Sequence, residues 1–155
     1  MDFSQTIDKQ RDFKFSEMTG NPEDTGFITI VYANSSPEYT NARLKVFNEN
    51  AEMTLEEKKA LSAETGKKVL SAEEQEKFLS EKRQKLLIPV MAKYLIKGWQ
   101  GLTHKNKPVK FTEKSVKAMS QSIYFMGLVA AFSHNTEKFL SEIDLDVDFE
   151  EVEKN

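Results

Sequence analysis

The spacing of apolar residues changes along this chain, and each change marks an element. In residues 11–18, Phe13 and Phe15 fall on one face with Arg11, while Asp12, Lys14 and Ser16 fall on the other. That period of two predicts a strand. Residues 20–26, Gly-Asn-Pro-Glu-Asp-Thr-Gly, are dense in turn formers. Phe27-Ile28-Thr29-Ile30-Val31-Tyr32 is β-branched and aromatic and predicts a second strand. The two make a β-hairpin, which needs a packing partner to be stable. In Asn34-Ser35-Ser36-Pro37-Glu38, Ser36 can cap a helix and Pro37 suits its first position. That helix is predicted to reach about Asn48 and to bury Tyr39, Ala42, Leu44, Val46 and Phe47 in part.

Residues 51–85 are strongly charged. Thr54-Leu55-Glu56-Glu57 and Ser71-Ala72-Glu73-Glu74 are capping boxes, separated by Gly66. Glu64/Lys68, Glu73/Lys77 and Glu81/Lys85 place acid before base at i,i+4. The pattern predicts a largely solvated helical hairpin, or an arm that orders on a partner. Residues 86–96 are apolar except for Lys93; Lys85, Pro89, Lys93 and Lys97 form one narrow stripe, so the rest is predicted buried. Pro89 should kink this helix or begin a new one, and Gly98 should stop it. After Trp99, Thr112 caps a further helix on which Val116, Met119, Ile123, Met126 and Ala130 keep helical spacing, with residues 123–132 forming a second core helix. Asn135-Thr136-Glu137 restarts a short helix ending near Ile143, with Phe139, Leu140 and Ile143 on its face. Residues 143–149 then alternate strictly, as an edge strand or as an acidic, partner-binding segment.

These elements predict a mainly α protein with a small N-terminal β-hairpin, an α+β fold. Its helical core has two apolar helices joined by a Trp-Gly turn, and a charged helical arm projects from it. The 155 residues suit a single domain. Within it, 1–33 is the hairpin region, 36–85 the arm, 86–143 the helical core and 144–155 an acidic tail.

The net charge of −3 conceals an asymmetry. Residues 82–117 carry ten Lys/Arg and one acid, Glu113, whereas residues 137–155 carry eight acids and two lysines. The two runs are either ordinary solvated surfaces or compensating faces, within one chain or between copies of a homo-oligomer. The basic run is mostly lysine and flanks core helices without interleaved exposed aromatics, which argues against a nucleic-acid partner. Cysteine is absent, which excludes disulfides, thiolate nucleophiles and cysteine zinc sites. The N-terminus lacks the basic-then-apolar pattern of a secretory signal, and residues 86–96 are too short to span a bilayer. The expectation is a soluble intracellular protein with no membrane partner.

Candidate chemistry is sparse. Asp144, Asp146 and Asp148 resemble the start of a calcium loop, but Phe149 stands where that loop needs glycine and Asn155 where it needs glutamate. His104 and His134 have no carboxylate at ligand spacing. His104 reads as a turn residue, and His134 as a helix-end residue that favours the dipole. No phosphate loop, nucleophile elbow or dinucleotide fingerprint occurs. The expectation is a protein that is not an enzyme, without catalytic residues, metal or cofactor. Trp99 has two readings, a plug sealing the core between the two apolar helices or an exposed interface anchor. Met91, Met119 and Met126 are core residues, or the adaptable lining of a partner-binding groove. Val147 and Phe149 are further partner-binding candidates.

Two segments carry a family resemblance. Thr25-Gly26-Phe27-Ile28-Thr29-Ile30-Val31 leads into Asn34-Ser35-Ser36-Pro37-Glu38-Tyr39, with Ala42 and Arg43 after it. Lys97-Gly98-Trp99-Gln100-Gly101-Leu102 leads to Lys107-Pro108-Val109-Lys110-Phe111-Thr112. Their order resembles the tail assembly chaperones of long-tailed bacteriophages, with Trp99, Gly101, Leu102, Pro108, Val109 and Phe111 as the signature. The turn His104-Lys105-Asn106-Lys107 departs from the family, which often has an acidic residue and glycine there. The resemblance implies a chaperone for the tape measure protein that helps recruit tail tube subunits in the infected host's cytoplasm. It also leaves open a structural tail or neck protein retained in the virion. An inhibitor or regulator of a host protein is a third reading, suggested by the acidic tail.

Overall fold

The structure, a computed structural model, describes residues 5–142. The hairpin forms, and it contains more than its two strands. β2 (Gln10–Lys14) pairs antiparallel with β3 (Phe27–Val31), from Gln10 opposite Val31 to Lys14 opposite Phe27. β1 (Gln5–Ile7) precedes them, and the short helix α1 (Phe15–Thr19) lies between them. Phe15 therefore opens a helix instead of extending the strand. Phe15 and Met18, three residues apart, are both buried.

α2 (Pro37–Glu49) begins where expected, with the Ser36 hydroxyl accepting from the Tyr39 amide at 3.1 Å. Tyr39 is buried and Ala42, Val46 and Phe47 are half-buried. Leu44 is exposed, contrary to expectation. It lies two positions from both Ala42 and Val46, about 200° around the helix from each.

The charged region is a helical hairpin of α3 (Leu55–Thr65) and α4 (Ala72–Leu95), and both predicted capping boxes are present. α3 buries none of its own residues, so its position depends on polar ties. Lys82 meets Glu57 at 2.8 Å, and this bond holds the Glu57 carboxyl below its ordinary pKa. Lys67 meets Glu74 at 3.1 Å and lowers that carboxyl in the same way. Arg83 does more. Its Nε donates to the Asn50 carbonyl at 3.0 Å, its Nη1 pairs with Glu76 at 3.0 Å, and its guanidinium lies 5.4 Å from the centre of the Phe47 ring. It thereby satisfies a carbonyl at the end of α2 while fixing the corner into α3. Arg83→Met should cost about 2 kcal/mol in a urea titration, and Arg83→Lys should recover only part of it, because an ammonium lacks the planar fork.

α4 runs through Pro89 without interruption, so no new helix starts there. Nor does Gly98 stop it. The helix ends at Leu95 and passes directly into β4 (Ile96–Gln100), a third strand on the far edge of β3. Ile28 lies opposite Trp99 and Thr29 opposite Gly98, but Ile30 lies opposite Ile96, so Lys97 is an extra residue in the ladder. Ile96 and Trp99 are three apart and would face opposite sides of a regular strand. The bulge at Lys97 turns both inward.

Beyond β4 come the small strands β5 (Thr103–His104) and β6 (Lys107–Pro108), then α5 (Glu113–Met119) and α6 (Ile123–Ser133). Thr112 caps α5 as predicted. The apolar spacing from Val116 to Ala130 does not describe one helix, because α5 ends at Met119, with Ser120 as its C-cap, and Ser122 caps α6 afresh. The short helix expected near Ile143 is a single 3-10 turn, Thr136–Phe139, followed by β7 (Leu140–Glu142), which pairs with β1. Phe139 is fully buried and Leu140 half-buried. Ile143 and the acidic tail lie outside the described residues.

The fold is thus mainly α with a small antiparallel sheet. Helix α6 covers one face of β2-β3-β4: Ile28, Ile30, Leu95, Val129 and Phe139 are fully buried in its core. The Phe13 ring meets Phe132 and Phe139 edge-on at 5.1 and 5.4 Å.

Candidate functional site

Trp99 is 5% exposed and faces the core. Its indole N–H donates to the Val109 carbonyl at 2.9 Å. Its ring meets Phe111 edge-on at 4.8 Å and Phe125 at 6.1 Å. What brings Val109 and Phe111 back to it is the β5–β6 hairpin. Lys105 and Asn106 take φ of 51° and 64°, the two left-handed residues of a type I′ turn. Thr103 then faces Pro108, and the Val109 amide donates to the Leu102 carbonyl at 2.8 Å. Gly101, at φ 78°, lets the chain leave β4 against Gly26. Trp99, Gly101, Leu102, Pro108, Val109 and Phe111 therefore belong to one folded unit. The segment expected as a Trp-Gly turn is a bulged strand and a hairpin that closes over its own tryptophan.

An open cleft of about 300 Å³ lies beside this unit. Its walls come from α1, the 20–26 loop, residues 101–103 and the junction of α5 with α6. Phe15, Met18, Leu102, Met119, Phe125 and Leu128 give it an apolar side, while Thr19, Glu23, Asp24, Thr25, Thr103 and Ser122 make the rest of its lining polar. Tyr124 lines it from the start of α6 and is 66% exposed; its neighbour Ile123 is 85% exposed. The helix break at Ser120–Ser122 causes this exposure. Ile123 is not in the core, as its spacing had implied, because re-capping at Ser122 changes the phase between α5 and α6. The Ser122 hydroxyl accepts from the Phe125 amide at 3.1 Å, which fixes Ile123 and Tyr124 in the first, outward-facing turn.

The other candidate residues are dispersed. Met119 lines the cleft, Met126 is 3% exposed within the core, and Met91 is half-buried on α4. Val147 and Phe149 lie outside the described residues. His104 is exposed at the hairpin. His134 has a structural setting: Nδ1 lies 2.9 Å from the Ala130 carbonyl and Nε2 lies 3.3 Å from the Tyr39 hydroxyl. Burial pushes the Tyr39 hydroxyl up in pKa, partly offset by Arg43. A second cavity of about 350 Å³ touches Lys9, Glu38, Tyr94 and Lys97; the Ser35 hydroxyl there is engaged by the Tyr32 carbonyl and the Ser36 hydroxyl by the Tyr39 amide. Lys105, Lys107, Lys110, Lys114 and Lys117 are all exposed and make no ion pair among the described residues. Also among the described residues, no cluster of three His, Asp or Glu is placed to hold a metal, and no helix is long and apolar enough to cross a membrane.

Fold and site together define a small α+β domain with a partly apolar cleft open to solvent. The family model described as YdaY prophage protein matches residues 35–147, most of the chain. The chain belongs to that family and is phage-derived, with a phage-related role. No curated protein and no solved structure matches it.

Proposed function

We propose that this chain is a phage tail assembly chaperone that binds the tape measure protein and helps recruit tail tube subunits, in the host cytoplasm and without catalysing a reaction. The observation that carries this reading is the exposed Ile123–Tyr124 pair beside the partly apolar cleft. Large apolar side chains held outward on a rigid helix end favour binding another apolar surface. Membership of a prophage family and the likeness of the Trp99–Phe111 segment to tail chaperones point to a phage assembly partner. A tape measure protein is a long helical chain with apolar stripes, and a groove that takes one turn of an amphipathic helix suits it. Several copies along one such chain would bind with avidity.

Co-expression with the tape measure protein of the same phage tests this. The expected result is a soluble complex that co-purifies; unchanged solubility and no complex would refute the reading. Ile123 and Tyr124 would serve a permanent contact equally well, so mass spectrometry of purified virions separates the two roles. A chaperone is absent from the particle, and a tail or neck protein is present at fixed copy number.

A further inference from the structure

We propose that the cleft selects one kind of helix: an amphipathic partner segment presenting a large apolar side chain with lysine or arginine beside it. For its natural partner this rests on the assembly reading above, but the chemical preference stands on the cleft alone.

At about 300 Å³ the cleft is at the small end for a cofactor site. Its volume suits one or two anchoring side chains. Met18, Met119 and Leu128 supply flexible apolar walls that adapt to the anchor. The remaining lining is one-sided in charge. Glu23 and Asp24 line it and no basic residue does. Neither carboxylate is in an ion pair among the described residues. Thr19 donates to Asp24 at 2.6 Å, which fixes that side chain on the wall. A cation placed next to the anchor would meet both carboxylates, whereas an acidic segment or a nucleic-acid backbone would be repelled. The cleft is bounded largely by helix ends rather than by an open strand edge. It therefore receives side chains projecting from a helix better than it adds a strand.

The test titrates the full isotope-labelled chain with three synthetic peptides. One has leucines at helical spacing flanked by lysines, the second replaces those lysines with glutamates, and the third scrambles the first. The lysine-flanked helix should bind about tenfold more tightly than the glutamate-flanked one and the scrambled peptide. Its largest resonance shifts should map to Tyr124, Met119 and Leu128. Glu23→Lys should bring the two helical peptides close to parity. The double variant Ile123→Asp/Tyr124→Ala should lose both while melting at the wild-type temperature, because both side chains are largely solvent-exposed.

Equal or reversed preference, strong binding of the scrambled peptide, or shifts centred on Lys105–Lys117 instead of the cleft would overturn the proposal. So would peptide-competed self-association, which would make a second copy the occupant. The two readings fail separately. Selection of the lysine peptide without any tape measure complex sinks the chaperone reading and leaves the cleft preference standing. A tape measure complex that forms although the peptides show no lysine preference does the reverse.

Discussion

Gly26→Ala should remove a large part of the folding stability of this protein. A β-carbon at that position would lie 2.1 Å from the Gln100 carbonyl oxygen and 2.7 Å from the Gly101 Cα, with Gly26 itself at φ 91°. Both obstacles are backbone, so no rotamer change relieves them. The backbone cannot easily withdraw, because the Gly26 carbonyl accepts from the Phe15 amide at 3.1 Å and the neighbouring Phe27 pairs with Gln100. A left-handed conformation costs a non-glycine residue about 1–2 kcal/mol, and overpacking adds about 1–3 kcal/mol. The sum, about 2–5 kcal/mol, is a large part of the 5–15 kcal/mol typical of a domain. Gly101→Ala faces the same obstacle from the other side, with the Gly26 Cα at 2.7 Å. Gly98→Ala is the control. It meets nothing within 4 Å and has no left-handed φ, so its urea midpoint should stay close to wild type. A Gly26→Ala protein as stable as Gly98→Ala would show that the close approach of the Gly26 and Gly101 segments is wrong.

Trp99→Ala should be comparably damaging, at about 3–5 kcal/mol. It opens a cavity between β4, α6 and the β5–β6 segment, and it removes the ring on which Phe111 and Phe125 rest. Trp99→Phe separates packing from polar contact. It keeps most of the apolar volume but leaves the Val109 carbonyl without its indole donor, a loss of about 1–2 kcal/mol. Far-ultraviolet circular dichroism in urea measures both variants without relying on tryptophan emission. Equal losses for the two would mean that the hydrogen bond, and not the ring, holds the hairpin down.

Much of the fold was legible because its signals are local. Ser36, Thr54, Ser71 and Thr112 cap helices at the predicted places, since a cap needs only the right side chain and an amide two or three residues on. Non-local features were hidden. β4 escaped because the bulge at Lys97 breaks the alternation that would announce a strand. β1 is exposed at every position and β7 is never fully buried, and each has three residues, so neither carries a period. The signature residues were visible, but the reason they belong together was not. Two successive left-handed residues at Lys105 and Asn106 make the return turn without glycine. The cleft was the least legible feature. Val116, Met119, Ile123 and Met126 keep helical phase across a gap where the chain stops, turns and is capped again at Ser122. Periodicity therefore placed Ile123 in the core, and the structure places it at the surface beside the site.

Tyr124 on the cleft wall and its exposed neighbour Ile123 are proposed to hold a helical phage assembly partner. The most direct measurement is affinity co-purification of the tape measure protein with the wild-type chain and with Ile123→Asp/Tyr124→Ala, each at matched expression and with its melting temperature recorded. The expected result is a complex with the wild type, and loss of that complex in a variant that is folded and equally stable. Absence of a wild-type complex, or an undiminished complex with the variant, would contradict it.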